Sequence, residues 1–177
     1  GLVDVVFADN NNRLVVLRNT GAKSGEALFI VESVLQVGDY VWDFVFADLD
    51  SNETVEIVAS SYHQIGSEGV REVVVFPNSG TGFDDPEVYG LPFGMERIAV
   101  GDVDADGFVD IVGPSSAGGD LILMRGGAKG GLQAPELFYV ASDLAALYTI
   151  DLNHDGLTDI LAVSALHGVF CLVNRSL

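Results

Sequence analysis

Short apolar runs of strand length recur along the chain and are separated by polar or glycine-rich segments. In each unit one run precedes an acidic segment and a second follows it, and two more come later; we name these strands A, B, C and D. The first unit has a B strand just after Asp4. The other predicted strands are 44–47, 98–101 and 147–150 (A), 57–59, 111–112 and 160–163 (B), 14–17, 73–76, 121–124 and 169–173 (C), and 27–35, 86–89 and 136–140 (D). This pattern predicts an all-β fold.

The acidic segments between the A and B strands resemble one another position by position. They are DLDSNETVE (48–56), DVDADGFVD (102–110) and DLNHDGLTD (151–159). Each has oxygen-bearing side chains at positions 1, 3, 5 and 9, and Ca²⁺ takes roughly six to eight oxygen ligands, so we predict three calcium loops. Phe108 and Leu157 at position 7 are expected to contribute backbone carbonyls. The predicted ligands are Asp102, Asp104, Asp106, Phe108, Asp110, Asp151, Asn153, Asp155, Leu157, Asp159, Asp48, Asp50, Asn52 and Glu56.

The three loops do not match the calcium pattern equally well. Gly107 and Gly156 stand at position 6, where the chain must turn sharply, whereas Glu53 takes that place in the loop 48–56. For this loop an acidic turn without a metal remains the alternative. An EF-hand is excluded because Gly113 or Ala162 stands at position 12, where that motif needs Glu. From the number of carboxylates we expect the loop 102–110 to bind calcium most tightly and the loop 48–56 least tightly.

The repeat length indicates the architecture. The position-6 residues Gly1, Glu53, Gly107 and Gly156 follow one another at intervals of 52, 54 and 49 residues, and a period near fifty is typical of propeller blades. We predict a single partial β-propeller of four-stranded antiparallel blades, with repeats at approximately 1–52, 53–106, 107–155 and 156–177. These hold about three and a half blades. Because propellers close with about four to eight blades, we expect a piece of a larger ring whose remaining blades are its partners; two copies forming one ring is the less favoured alternative.

The motifs around the loop 102–110 resemble a known family. Phe93-Gly94 precedes the A strand of this unit, and Gly113-Pro114 follows its B strand. The chain therefore resembles the FG-GAP/VCBS repeat family, whose calcium-binding β-propellers include the heads of integrin α-subunits and secreted lectin-like proteins. The resemblance implies that calcium loops on one face stiffen the ring, and that the opposite face binds a protein or a glycan.

Composition limits the partners and the compartment. The chain has 26 acidic and 8 basic residues and a net charge of −18, which disfavours nucleic acid as a partner. Its apolar runs are too short to cross a membrane. Calcium loops suit the millimolar calcium outside cells, so we expect an extracellular, secreted or cell-surface location. We expect Cys171, which lies within an apolar run, to be a small core residue.

Connectivity predicts where a ligand would bind. Turns from A to B and from B to C leave opposite ends of a blade, so we expect Asp39, Tyr40, Tyr62, His63 and Asp143 to lie on the side opposite the calcium loops. The segment 60–69 reads as the longest connection on that side and contains groups suited to a sugar. A merely solvated loop is the alternative interpretation of this segment.

Catalysis finds little support in the sequence. His63, His154 and His167 lie far apart along the chain, and none belongs to a recognisable nucleophile motif. We therefore expect a non-enzymatic binding module, with a domain of a secreted hydrolase or lyase, or a scaffold in a surface or matrix assembly, as alternatives. Asn174 begins the glycosylation sequon Asn174-Arg175-Ser176 and is expected in an exposed turn, whereas Asn52 in the sequon Asn52-Glu53-Thr54 is expected to face the metal.

Overall fold

Fourteen strands form four antiparallel sheets in a computed structural model that describes residues 2–23 and 25–175. Two residues named above lie outside the described residues. They are Gly1, the first position-6 residue of the repeat, and Ser176, the last residue of the sequon that begins at Asn174. Blade 1 contains β1 (Val5–Ala8), β2 (Arg13–Asn19) and β3 (Phe29–Gln36). Blade 2 contains β4 (Tyr40–Ala47), β5 (Glu56–Ile65), β6 (Glu68–Phe76) and β7 (Glu87–Leu91). Blade 3 contains β8 (Ala99–Gly101), β9 (Asp110–Pro114), β10 (Gly119–Met124) and β11 (Glu136–Ala141). Blade 4 contains β12 (Leu144–Ile150), β13 (Asp159–Ser164) and β14 (Gly168–Leu172).

The order of strands within each sheet confirms the predicted fold class. Blades 2 and 3 each run from first to last strand as an antiparallel meander, while blades 1 and 4 have three strands each. This order is the predicted B-C-D, A-B-C-D, A-B-C-D and A-B-C. The chain is therefore part of a β-propeller. The described residues do not form a closed ring, because no hydrophobic cluster among them joins blade 1 to blade 4.

Apolar cores lie between successive blades, because alternate residues of each strand point to opposite faces of the sheet. The interface between blades 1 and 2 is centred on Leu14, Ile57 and Phe76. Between blades 2 and 3 the core is larger, and between blades 3 and 4 it is smaller. Blade 2 is thus covered on both faces, and its strands β5 and β6 carry long runs of buried residues.

The segment 60–69 is a β-hairpin and not a long loop, so its expected place as the longest connection on the side opposite the calcium loops is wrong. β5 continues to Ile65, β6 begins at Glu68, and only Gly66-Ser67 forms the turn, with Gly66 at a φ of 64°. Tyr62 pairs with Arg71 across the two strands. From the buried Ser60 onward the residues of β5 are largely polar, so no apolar run marks the second half of this strand.

Glycines of the Phe93-Gly94 and Gly113-Pro114 motifs permit close packing. A Cβ atom on Gly94 would lie 2.7 Å from the Trp42 ring on β4 of the preceding blade. A Cβ atom on Gly113 would lie 2.2 Å from Cγ of Met95 and 2.3 Å from the carbonyl oxygen of Arg97. Any side chain at either position would force neighbouring atoms to move, so both positions require glycine.

The outer faces of blades 1 and 4 are apolar and exposed. On blade 4, Tyr148, Ile150 and Val169 are exposed on the face that does not pack against blade 3. Cys171 lies on the same face and is exposed, so its expected place in the core is wrong. On blade 1, Phe7, Val31 and other apolar residues are similarly exposed. Among the described residues no helix has the length and apolar character that crossing a bilayer demands.

Candidate functional site

The three acidic loops connect the first and second strands of blades 2, 3 and 4 and share one hydrogen-bonding pattern. In each loop the position-1 carboxylate accepts the backbone N–H groups of positions 5 and 6. Asp102 accepts the N–H of Asp106 at 3.1 Å and that of Gly107 at 2.9 Å. Asp151 and Asp48 accept the equivalent N–H groups at 3.0 to 3.2 Å. All three loops are therefore pre-folded around their first carboxylate.

Two positions of every loop have left-handed backbone conformations. At position 4, Ser51, Ala105 and His154 have φ angles of 60°, 61° and 62°. At position 6, Glu53 has a φ of 69°, whereas Gly107 and Gly156 have values of 91° and 87°. Glu53 thus adopts the turn that glycine adopts elsewhere, at a cost of about 1 kcal/mol. The loop 48–56 keeps the shape of the other two although it lacks the glycine.

The position-9 aspartates are buried and tie each loop to the C-to-D turn of its own blade. Asp110 accepts the N–H of Val103 through Oδ2 and that of Gly126 through Oδ1, both at 2.8 Å. Asp159 accepts the corresponding N–H groups of Leu152 and Asn174 at 2.9 and 2.8 Å. Burial raises the pKa of Asp110, and these two hydrogen bonds oppose the rise. The position-9 carboxylate therefore has a structural role that sequence reasoning did not predict.

Glu56, at position 9 of the loop 48–56, is buried like the other position-9 carboxylates. Its Oε2 accepts the N–H of Leu49 at 2.6 Å. Oε1 has no well-formed hydrogen bond within the described part of the chain, although the backbone N–H of Asn78 also interacts with this carboxyl. Carboxylate oxygens of Asp48, Asp50 and Glu56 lie within 4.8 Å of one another. Burial and the nearby charges of Asp50 and Asp48 raise the pKa of Glu56. A hard cation fits this set of donors, because it would satisfy the buried oxygen and offset the repulsion between the carboxylates.

A second group of carboxylates lies in the loop 102–110. Oxygens of Asp102, Asp104 and Asp106 all lie within 4.8 Å of one another. Asp110 is not part of this group, because its oxygens point to backbone N–H groups. Each of its oxygens keeps a further lone pair. The group in this loop therefore contains three of the four predicted carboxylate ligands.

The loop 151–159 replaces the middle carboxylate with an amide. Oδ1 of Asn153 accepts the N–H of Asp155 at 3.0 Å, and its Nδ2 donates to Asp155 Oδ2 at 2.8 Å. In the loop 48–56 the amide stands at position 5 instead, and Nδ2 of Asn52 donates back to Asp50 at position 3, at 3.0 Å. An amide oxygen is also a suitable calcium ligand, so the donor chemistry of this loop matches the others. The carbonyl ligands of Phe108 and Leu157 stay a prediction.

A basic residue that sequence reasoning missed contacts the loop 102–110. Arg125, at the end of β10, places Nε 2.8 Å from Oδ2 of Asp104 and also pairs with Glu136. Lys129, in the following turn, lines a small recess beside Asp50 and Glu56 of the neighbouring blade's loop. The turn of blade 3 therefore brings a positive charge near each of two adjacent acidic loops.

The residues expected on a ligand face lie at the opposite end of the blades. Six positions of β5 separate Tyr62 from Glu56, about 20 Å at roughly 3.3 Å per residue. Asp39 lies beside Tyr62 and His63, because its N–H donates to the Tyr62 carbonyl at 3.0 Å and its carboxylate lies 3.6 Å from His63 Nδ1. Tyr40 pairs with Tyr62.

Aromatic side chains cluster at this far end of blade 2. The ring centroids of Tyr40 and Trp42 lie 6.5 Å apart, and those of Trp42 and Tyr62 lie 6.3 Å apart. Tyr40 is 53% exposed, while Trp42 and Tyr62 are half-buried. Trp42 was not among the predicted ligand-face residues, because nothing in the sequence indicates that its ring meets those of Tyr40 and Tyr62.

Asp143 occupies the far end of blade 4 and contacts a serine and a histidine. Oδ1 of Asp143 accepts a hydrogen bond from the Ser164 hydroxyl and lies 2.9 Å from His167 Nδ1. These contacts, with the Ser164 bond the stronger cause, lower the pKa of Asp143. Ser164 Oγ also lies 3.3 Å from the same Nδ1. A catalytic triad needs serine and aspartate on opposite ring nitrogens, so this cluster does not form one.

Asn174 is half-buried between the exposed residues Val173 and Arg175, and its side-chain amide contacts two acidic loops. Its Nδ2 donates to the carbonyl oxygen of Val103 at 3.0 Å and to that of Thr158 at 3.3 Å. Both N–H bonds of the amide are thus engaged in holding the turn to the loops. These contacts disfavour a glycan on Asn174 in the folded protein.

An antiparallel blade with an acidic loop between its first two strands defines a propeller repeat. Residues 102–162, which include the loops 102–110 and 151–159 completely, match the family model described as an FG-GAP-like repeat. The resemblance inferred from the sequence is confirmed over these residues. No curated protein matches the chain.

Proposed function

We propose that the chain is an extracellular, calcium-stabilised β-propeller module that binds a protein or carbohydrate ligand and has no catalytic activity. The observation that carries the calcium part is the convergence of Asp48, Asp50 and the buried Glu56, whose carboxylate oxygens lie within 4.8 Å of one another. Holding three carboxylates this close together, one of them buried, is costly without a compensating positive charge. The FG-GAP-like match of residues 102–162 supports the same conclusion for the other loops.

In the loop 102–110, some residues are calcium ligands and another holds the loop in place. Asp102, Asp104 and Asp106 supply oxygens to the ion, and the left-handed turn through Gly107 brings those oxygens together. Asp110 holds the loop against the C-to-D turn through Val103 and Gly126. When bound, calcium supplies positive charge that offsets the mutual repulsion of these carboxylates.

The ligand face is the far end of the blades, with the cluster of Tyr40, Trp42 and Tyr62 as its centre. Tyr and Trp provide large contact areas together with polar groups, and such side chains are enriched in binding interfaces. Asp39 and His63 border the cluster and offer hydrogen-bonding groups. A glycan or a protein surface suits this combination. Catalysis is not proposed, because Ser164 and Asp143 contact the same nitrogen of His167.

The exposed apolar faces of blades 1 and 4 support further blades as partners. The exposed face of blade 1 corresponds to the face of blade 2 that blade 1 covers. The exposed face of blade 4 corresponds to the face of blade 3 that blade 4 covers. An additional blade on each outer face would continue the stacking that the four sheets already show. Such coverage would also protect the exposed strands from self-association.

Thermal melting in calcium and in chelator tests the calcium proposal. We expect a higher melting temperature in calcium, because an ion that binds only the folded state stabilises it by about 2.7 kcal/mol per site at a hundredfold excess over Kd. Asp102→Ala should remove the stabilisation that calcium gives by binding at one loop. Asp85→Ala changes an exposed acidic position outside the loops and should leave the calcium effect intact. Equal melting temperatures with and without calcium would contradict the proposal.

Screening on a glycan array and against extracellular proteins tests the binding proposal separately. Tyr40→Ala should abolish any specific signal, whereas Ile65→Ala, at the same end of blade 2 but outside the aromatic cluster, should retain it. Binding that survives Tyr40→Ala would place the ligand elsewhere on the module.

A further inference from the structure

We propose that Arg125 is a built-in positive charge that weakens calcium binding by the loop 102–110. This inference rests on the proposed calcium binding and adds a residue that sets the affinity of one loop. It overturns the affinity order expected from counting carboxylates. That count places the loop 102–110, with four carboxylates, ahead of the loop 151–159, with three.

The geometry places the guanidinium directly on a predicted ligand. Arg125 Nε lies 2.8 Å from Oδ2 of Asp104, which stands at position 3 of the loop. The other oxygen, Oδ1, accepts the N–H of Asp106 at 3.2 Å. Both oxygens of Asp104 therefore have a donor, and one of these donors carries a full positive charge.

The side chain of Arg125 is also held in place from its other end. Its Nη1 pairs with Glu136 on β11, so one guanidinium bridges the acidic loop and the neighbouring strand. The side chain is only 29% exposed, which limits the screening of this pair by water. Because the guanidinium stays charged at any accessible pH, the loop cannot lose this charge by deprotonation.

The other two loops carry no basic residue at the corresponding position. Asn174 and Asn78 mark equivalent places in blades 4 and 2, because the Nδ2 of each donates to the position-8 carbonyl of its loop. In blade 3 Gly126 occupies that place and donates its N–H to Asp110 as Asn174 does to Asp159. The preceding residues are Arg125 in blade 3, Val173 in blade 4 and Pro77 in blade 2.

Calcium and the guanidinium compete for the same carboxylate. An incoming ion must either share Asp104 with Arg125 or displace the guanidinium, and in both cases two positive charges lie close together. The loop 102–110 should therefore lose the advantage that its extra carboxylate gives.

Site-resolved calcium titration by NMR of the intact chain tests this role. The amide N–H groups of Gly107 and Gly156 each donate to the position-1 carboxylate of their loop, so their resonances report the two sites separately. We expect Arg125→Gln to tighten binding at the Gly107 site by about tenfold, equivalent to about 1.4 kcal/mol. Binding at the Gly156 site should change by less than about twofold.

Two control variants separate local charge from other effects. Lys129→Gln removes the same unit of charge from the same turn but does not touch Asp104, so the Gly107 site should keep its affinity. Arg125→Lys retains the charge and should retain the weaker binding. An equal gain in Arg125→Lys and Arg125→Gln would overturn the charge-based explanation.

The outcomes distinguish this inference from the proposed function. If the Gly156 site of Arg125→Gln saturates with calcium but the Gly107 site binds no more tightly than in the unmodified chain, only the role of Arg125 is overturned. Absence of titration at every loop in the unmodified chain and in Arg125→Gln would overturn calcium binding itself, and the role of Arg125 with it.

Discussion

Asp110 accepts the backbone N–H of Gly126 at 2.8 Å across 16 positions of the chain. Asp159 accepts the N–H of Asn174 in the same way, also at 2.8 Å. Each aspartate therefore joins an acidic loop to the turn after the third strand of its blade. The position-9 carboxylate has two functions in this arrangement, because it holds the blade together and contributes negative charge to the proposed calcium site.

Asp110→Ala should destabilise the protein both in calcium and in chelator. It leaves the N–H groups of Val103 and Gly126 without their acceptor, at about 1 to 3 kcal/mol for each such group that stays buried. Asp106→Ala removes an exposed carboxylate of the same loop and should lower stability mainly in calcium. Urea denaturation under both conditions measures the contrast. An Asp110→Ala protein as stable as the unmodified chain in chelator would refute the structural role.

Glu56→Gln should stabilise the calcium-free protein by about 1 kcal/mol and reduce the gain from calcium. The substitution keeps the acceptor for the Leu49 N–H while removing a buried charge beside Asp48 and Asp50. Differential scanning calorimetry in chelator and in calcium measures both effects. Asp85→Asn serves as the control, because it removes one negative charge outside the loops. A loss of stability in chelator would contradict the prediction.

The stabilising effect of Glu56→Gln in chelator should grow with pH. The pKa of Glu56 is raised above its ordinary value of 4.5 in the folded protein, mainly by burial. A raised carboxyl pKa gives stability that is fully present below pH 4.5 and is lost as pH rises through the folded value. Arg13 lowers the pKa of Asp9 to about 2, which acts in the opposite sense, but this contribution cancels between the two proteins. If the difference in melting temperature between Glu56→Gln and the unmodified protein is the same at every pH from 4 to 7, the destabilising effect of the charged Glu56 carboxylate is contradicted.

Asn174→Ala should lower stability by about 1 to 2 kcal/mol. The change removes the donations from Nδ2 to the carbonyl oxygens of Val103 and Thr158, which link blade 4 to two loops. Arg175→Ala, at the exposed neighbouring position, should be close to neutral. Chemical denaturation of the two variants measures the difference, and equal stabilities would show that the amide contacts contribute nothing.

The strands that pack between blades could be predicted from sequence because burial leaves an apolar run. Leu121 to Met124 is such a run, and it forms the last four residues of β10. The acidic loops were equally visible, since their oxygen-bearing positions are contiguous in sequence. Both features depend on local spacing, which a single chain displays directly.

The features that sequence reasoning missed arise from contacts between distant positions. Ser60 to Ile65 continues β5 although its residues are largely polar, because pairing with β6 supplies the hydrogen bonds. Nothing in the sequence indicates that the Trp42 ring meets those of Tyr40 and Tyr62 in a cluster that reaches the surface. Arg125 gave no local signal, because only the blade geometry brings it to Asp104.

Val169→Lys should reduce self-association of the protein. Val169 is 60% exposed on the outer face of blade 4, where Tyr148 and Ile150 are exposed as well, so isolated molecules have an apolar sheet face in contact with water. A charge on this face, at the edge strand β14, disfavours pairing between copies. Ile65→Lys is a matched control, because Ile65 is 58% exposed but lies at the tip of a hairpin. Sedimentation velocity over a range of concentrations should show fewer oligomers for Val169→Lys than for Ile65→Lys and the unmodified chain. Identical sedimentation of all three proteins would indicate that this face does not drive association.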